Sequence, residues 1–475
     1  MSRIDGRTMP APTAPRAVGP ARSRNATLII TAAGTFLALA AYTLPLTDLA
    51  TLSSALAAGA AARTWILSSM SVGLTAAMLL AGTLADRYGR RRMFVLGAAV
   101  LLLGTVVDLA AGIVNVDLRS VTFIVGRVIT GIGAAAVVAA ALALLAEAFP
   151  RPAERATAGS TWAVALGAGI AAGPFGAALA NRAGQWWLSY LGLAVLSAAL
   201  LVVGGRGLAE SRSADRRRLD LAGAVMFLLA AVTILIGLVD LRTSADRREP
   251  VIMIAVAVLL FVAFVMIEFR RRDPMLDPRY FRDRDFAAVQ VAAFAVGLGS
   301  IGLMSVSGVF MIADFHLGVL ATSIVFTCWS LASTVTAYFA RRLPGWLRGR
   351  RQLGVALLII AVGQLTLIRA ESVAAMLPGF LIAGIAAGVV NSALGRETAG
   401  TAPEGRTGLG SGINNTARYL GSAIGVTLCA SLLLHGGMDR RQLESGWTYA
   451  VALATALLAA GGVAVLILNR SSVRR

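Results

Sequence analysis

The chain predicts an all-α, polytopic membrane protein with about 14 transmembrane helices. Three observations lead there. Of its 475 residues 57% are hydrophobic and only 14% charged, against roughly 25% charged for an ordinary soluble domain. The apolar residues fall in runs long enough to cross a bilayer, which takes ~20 residues for a hydrocarbon core of about 30 Å. Short loops carrying arginine separate these runs.

The formal net charge of +19 comes without a single lysine, so all 43 basic residues are arginine. With the first helix starting in the cytoplasm, most arginines fall on that side and few on the other, and only Arg127 and Arg418 lie within helices. That asymmetry follows the positive-inside rule. It accounts for the charge without nucleic acid, since no basic patch interleaves with aromatics on a soluble domain. Without lysine there is no GxxxxGK[ST] loop to cradle ATP. Cys328 and Cys429 sit in apolar runs with no metal or redox spacing, and His316 and His435 are isolated. The sequence therefore offers no metal site, no cofactor motif and no catalytic constellation, and reads as something other than an enzyme.

Residues 1–25 are rich in Pro, Ala and Arg with no apolar core of a signal peptide, which predicts a disordered cytoplasmic tail. The first span runs from about Ala26 to Thr47 and ends in Tyr42-Thr43-Leu44-Pro45. The second, from Trp65 to Leu84, enters the stretch GTLADRYGRRRMFVLG, Gly82 to Gly97. Its acid and arginines cannot enter lipid, so it predicts a tight charged loop before the third span, Met93 to Val114. At ~1.5 Å per residue, Asp108 lies about 24 Å above Arg92, at a depth comparable to Arg127 in the fourth span. An Asp108 to Arg127 pair is one reading, and an Asp108 wetted at the outer interface is the other.

These stretches carry a resemblance. GTLADRYGRRR is similar to the signature loop of the major facilitator superfamily, and GRVITGIGAAA (Gly126 to Ala136) resembles its fourth-helix motif. GAGIAAGPF (Gly167 to Phe175) resembles the antiporter motif of its exporting branches, with Gly169, Gly173 and Pro174 in register. Glycines four apart permit close helix contact, and the proline removes a backbone hydrogen bond. The best match is the fourteen-helix drug:proton antiporter family. Two spans, Leu219 to Leu241 and Val251 to Phe269, intervene before the second set of six, which runs from Phe286 to Leu468. The expected organisation is 6+2+6 with both termini cytoplasmic: an N-terminal bundle over residues 26–205, a linker with two extra helices over 206–285, a C-terminal bundle over 286–469 and a tail over 470–475.

The resemblance implies a small-molecule exporter of the cell (inner) membrane, moving amphipathic or hydrophobic compounds by alternating access in exchange for protons, with lipid as its solvent and no ATP. It assigns Gly82, Asp86, Arg87, Gly89, Arg90 and Arg91 to a conformational gate, the acid facing the start of the thirteenth helix, whose dipole favours an anion. Arg127 and Asp108 become proton-coupling candidates, with a buried ion-pair anchor as the alternative for Arg127. In the thirteenth span, GLGSGINNTARYLGSAIG embeds Asn414, Asn415 and Arg418 in apolar surroundings. A polar cluster inside a membrane segment is a functional candidate. With Tyr42, these three are the cavity candidates, and hydrogen bonding across a helix interface is the alternative for them. The chain departs from the family at Phe36, nine residues before the proline, where an aspartate is common. That departure leaves open a transporter of lipid or of a dedicated metabolite without proton coupling, or a transport-dead sensor or assembly partner.

Overall fold

The computed structural model describes residues 21–212, 221–243, 246–271, 274, 276–343, 349–402, 407–434 and 440–470. Asp220, His435 and most of both expected tails, 1–20 and 471–475, lie outside these residues. Among the described residues the chain is helical throughout, with no strand.

The first helix, α1 (Ala21–Thr43), begins inside the expected tail because Arg24 holds that end down. Its Nε donates to the carbonyl of Ala148 at 2.9 Å, its guanidinium pairs with Glu154, and it lies 4.9 Å from the Phe149 ring centroid. Pro45 cannot continue the α1 hydrogen-bond ladder and starts a short second helix, α2 (Pro45–Ala55), so the first span ends earlier than expected. Next come α3 (Ala60–Tyr88), α4 (Arg90–Ala110), α5 (Val116–Ala148), α6 (Pro152–Arg182) and α7 (Trp187–Gly207).

The charged stretch from Gly82 to Gly97 is not a loop. Helix runs up to Tyr88 and resumes at Arg90, and the break is Gly89 alone, whose φ of 125° is open to glycine and strained for other residues.

The hairpin α8 (Leu221–Thr243) and α9 (Arg248–Arg270) follows. Then α10 (Arg284–Ala295) passes through a π-helical turn, Val296–Ile301, into α11 (Gly302–Asp314). The last five helices are α12 (Val319–Phe339), α13 (Arg350–Leu365), α14 (Val373–Thr401), α15 (Thr407–Leu434) and α16 (Arg440–Arg470).

Twelve helical segments among the described residues are long and apolar enough to span a bilayer, against the fourteen expected. The two that fall short lie where the sequence places spans seven and eleven. They are α8, whose apolar part is Val225–Leu241, and α13, only 16 residues long.

Buried apolar side chains gather into two large clusters. One is built mostly from α1 to α7, around Phe94, Phe123 and Tyr190. The other is built from α10 to α16, around Phe310, Phe380 and Trp447. A smaller cluster joins Phe227 and Phe264 of the α8/α9 hairpin to Leu79 of α3 and to Leu409 and Ile413 of α15. The extra hairpin therefore lies over the seam where α3 of the first cluster meets α15 of the second.

Backbones touch where glycines allow it. A methyl group on Gly169 would collide with the Phe36 carbonyl, and one on Gly173 with the Thr43 hydroxyl, so α6 lies directly on α1. Gly169→Val is expected to cost about 1–3 kcal/mol through overpacking, read as a lower thermal unfolding midpoint of the detergent-purified protein. Val at Gly176, where a Cβ meets nothing within 4 Å, is the matched control and leaves the midpoint unchanged.

Candidate functional site

Pro45 and Pro174 leave carbonyls without their helical partners, and the structure shows what fills each. Pro45 has no N–H for the carbonyl of Ala41, four residues earlier; Arg127, reaching across from α5, donates Nη1 to that oxygen at 2.7 Å and Nη2 to the Tyr42 carbonyl at 3.4 Å. Pro174 likewise frees the Ile170 carbonyl, which accepts the Thr43 hydroxyl at 3.1 Å, shared with the Leu39 carbonyl of α1 at 3.0 Å. Arg127 is 1% exposed, so these carbonyls are what make a buried guanidinium tolerable.

Asp108 does not pair with it. The carboxylate is fully buried rather than wetted at an interface; it accepts from the Thr130 hydroxyl at 3.4 Å, and its Oδ1 has no hydrogen-bond partner. Equal depth in the bilayer placed the two residues at one level, but the helical phase of α5 turns Arg127 toward α1. Arg127 still acts on Asp108 electrostatically.

The gate residues divide. Asp86, buried at the end of α3, takes Arg90 Nη2 on Oδ1 at 3.2 Å and the backbone N–H of Leu409 on Oδ2 at 3.1 Å. Leu409 lies in the first turn of α15, where free N–H groups and the helix dipole favour an anion. Arg90 also pairs with Glu147 of α5. Arg91 donates from its side chain to the Gly205 carbonyl and from its backbone to Glu210, which lies over Gly89 and meets Arg92 at 3.5 Å. Arg87 turns away onto the Tyr88 ring, and Gly82 is buried within α3 one turn before Asp86. Glu147 and Glu210 were not singled out in the sequence, because neither falls inside the motif whose arginines they hold.

The four cavity candidates line two chambers between the clusters. The larger, about 260 Å³, lies among α5, α6, α14 and α15 and includes Asn414, Asn415 and Arg418. Asn414 donates across to the Val289 carbonyl of α10 at 3.5 Å, and Asn415 donates to Ser411 of its own helix at 3.0 Å. The smaller, about 60 Å³, is walled by Tyr42, Pro174, Met304, Phe326, Trp329 and Tyr419, among others.

Arg418 lines both chambers. Its backbone is fixed by close crossing. Gly297 in the π-helical turn lies against the Arg418 carbonyl, and Gly421 and Gly425 lie against the carbonyls of Phe294 and Leu298. Tyr42 packs edge-on to Tyr419 at 5.9 Å, and its hydroxyl bonds Ser422 at 3.1 Å and Ser71 at 3.2 Å, tying α1, α3 and α15 together.

One acid escaped the sequence reading. Asp48, in the first turn of α2 just past the expected end of the first span, is fully buried, and Asn181 donates to its Oδ1 at 2.7 Å. Burial raises its carboxyl from the ordinary 3.8 to about 6, against the opposing hydrogen bonds of Asn181 and Thr51. The signal was present as an acid three residues after Pro45. The Tyr190 hydroxyl of α7, itself buried and without a partner, interacts electrostatically with Arg127, Asp48 and Asp108.

Comparison with known proteins gives the same frame. The chain is 27% identical to Multidrug resistance protein Stp of Mycobacterium tuberculosis over 87% of its own length and 76% of the relative. It is 30% identical to Puromycin resistance protein pur8 of Streptomyces alboniger over 83% and 81%. Its fold is like that of the human organic anion transporter MFSD10 (TETRAN), with a TM-score of 0.66 at 19% identity, covering 93% of this chain and all of that one. The family profile described as Major Facilitator Superfamily matches residues 31–426 and 289–475. With apolar spanning helices and a glycine-packed fifth span in place, the chain belongs to the major facilitator superfamily of multi-pass membrane transporters.

Proposed function

We propose that this protein exports small amphipathic or hydrophobic compounds across the cell (inner) membrane by alternating access, in exchange for protons, with both termini in the cytoplasm. The observation that carries the reading is the position of Arg418, Tyr42 and Tyr419 where the two chambers meet, between helices of the two core clusters. Two bundles, residues 26–205 and 286–469, rock about that point, while the hairpin within 206–285 covers their seam. The drug-resistance names of the relatives and the glycine-proline motif of α6 support the direction of transport.

The gate is Asp86 with Arg90 on one side and the start of α15 on the other. Breaking it leaves the cavities intact and changes how long each side stays open. Asp86→Asn is expected to shift the labelling of single cysteines placed in the two chambers, in a background with Cys328 and Cys429 replaced by Ser, with the range of exported compounds unchanged. A changed range contradicts the gate assignment.

Protons pass by way of Asp48 and Asp108, with Arg127 and Tyr190 between them as electrostatic partners. This gives the chain buried carboxylates despite Phe36, whose carbonyl instead seats Gly169. Efflux of a fluorescent dye from proteoliposomes is expected to stop when the pH gradient is collapsed, and unchanged flux excludes antiport in favour of uncoupled transport. Asp48→Asn is expected to lower the gradient dependence about tenfold while dye binding persists.

Stability supplies a second readout. Between pH 3.8 and about 6 the folded protein holds the Asp48 proton and the unfolded chain does not. Stability from this group therefore falls as pH rises through that window. Asp48→Asn removes that slope; a slope identical to wild type argues against a buried, protonatable Asp48.

A further inference from the structure

We infer that the compound carried is an organic anion, an aromatic or otherwise apolar body bearing a carboxylate or comparable acid group, seated with its acid on Arg418. This deepens the export reading and rests on it for the direction of movement.

The chambers differ in character. The smaller is apolar and aromatic, walled by Tyr42, Phe326, Trp329 and Met304. The larger also presents mostly apolar surface but adds polar side chains, among them three arginines, Arg155, Arg396 and Arg418. No acidic side chain is among the described residues lining either one. Arg418 belongs to both, so a molecule that buries a ring in the smaller chamber brings a polar end to the guanidinium.

Among the described residues that guanidinium has no anionic partner. Arg418 is 5% exposed, yet among the described residues its guanidinium meets only neutral groups, Asn391 Oδ1 at 3.4 Å, at the long end of the range, and Tyr419, whose ring centroid is 5.7 Å away, and its Nε has no partner. Arg127 by contrast meets two proline-region carbonyls, although its Nε too has no partner. Trp329 repeats the pattern, being 7% exposed with an unpartnered Nε1–H. Buried donors left without acceptors are costly, and both of these can only donate. An acid group supplies acceptors, and a carboxylate matches the planar fork of a guanidinium. A lipophilic cation would bring a like charge and no acceptor into the same space.

The charge balance agrees with the proposed coupling. An anion moving out and a proton moving in both carry positive charge inward, so the resting potential drives each of them.

The test uses the full chain in nanodiscs and three fluorescent probes of one shape: dansylglycine (anion), dansylglycinamide (neutral) and dansylethylenediamine (cation). Dansylglycine is expected to bind at least about tenfold more tightly than the cation. Arg418→Gln is expected to bring that ratio close to one, with binding of the neutral amide retained as proof of an intact cavity. Arg418→Lys is expected to preserve part of the preference. If Arg418→Gln does not fold, Arg155→Gln reads the same ratio, with a smaller fall expected. Equal or tighter binding of the cation, absence of dansylglycine binding, or a ratio unmoved in the folded variants overturns the inference. If the preference holds but no probe is transported in proteoliposomes under either a pH gradient or a potential, the export reading fails and the anion site stands.

Discussion

Every carbonyl inside the bilayer needs a donor, and the interior of the first cluster is arranged around two of those that proline leaves without one. Pro45 and Pro174 open the ladders of α1 and α6 at neighbouring points, and the donors come from other helices: Arg127 from α5 and the Thr43 hydroxyl from α1. These bonds require α1, α5 and α6 to lie in contact, which Gly169 and Gly173 permit. An irregularity that would break a helix in isolation becomes a cross-link once the surroundings are apolar. The position of Tyr42, and through it the junction of the two chambers, follows from that cross-link.

The seam between the two clusters is held differently. On α15 a single carboxylate, Asp86, is bound by the first turn of the helix, and further along glycines bring its backbone against the π-helical turn between α10 and α11. One contact is a carboxylate hydrogen-bonded to a backbone N–H, and the other is van der Waals packing. The α8/α9 hairpin covers this seam with Phe227 and Phe264 and exposes most of α9. In a membrane that exposure needs no partner beyond lipid.

Fold class was legible because lipid imposes a length and a composition on every spanning segment, and these survive in any single run of residues. The helices α8 and α13 were legible too, as spans seven and eleven, although they fall short of the apolar length that their neighbours meet. Side-chain partners were legible only where one helix determines them. Depth along a helix can be counted, so Asp108 and Arg127 were placed at one level; rotational phase cannot, so Thr130 was missed as the partner of Asp108. The stretch from Gly82 to Gly97 read as a loop because charges were equated with irregular backbone, yet one glycine at φ 125° suffices for the turn. Asp48 was lost at a boundary, lying just past the expected end of a span. Tyr42, Asn414, Asn415 and Arg418 stood out as polar groups in apolar runs, whereas Trp329 gave no such signal among apolar neighbours.

The chain's use of arginine alone has a consequence at the junction of the chambers. A buried lysine can give up its proton and become neutral, but a guanidinium keeps its charge at any pH a cell meets. For the anion inferred to sit on Arg418, release therefore does not come from the arginine. Discharge has to come from the other side of the bond, through water reaching the contact as the chamber opens or through protonation of what is bound. The affinity of the central position is in that sense clocked by hydration, with the cation itself as the one element that never switches.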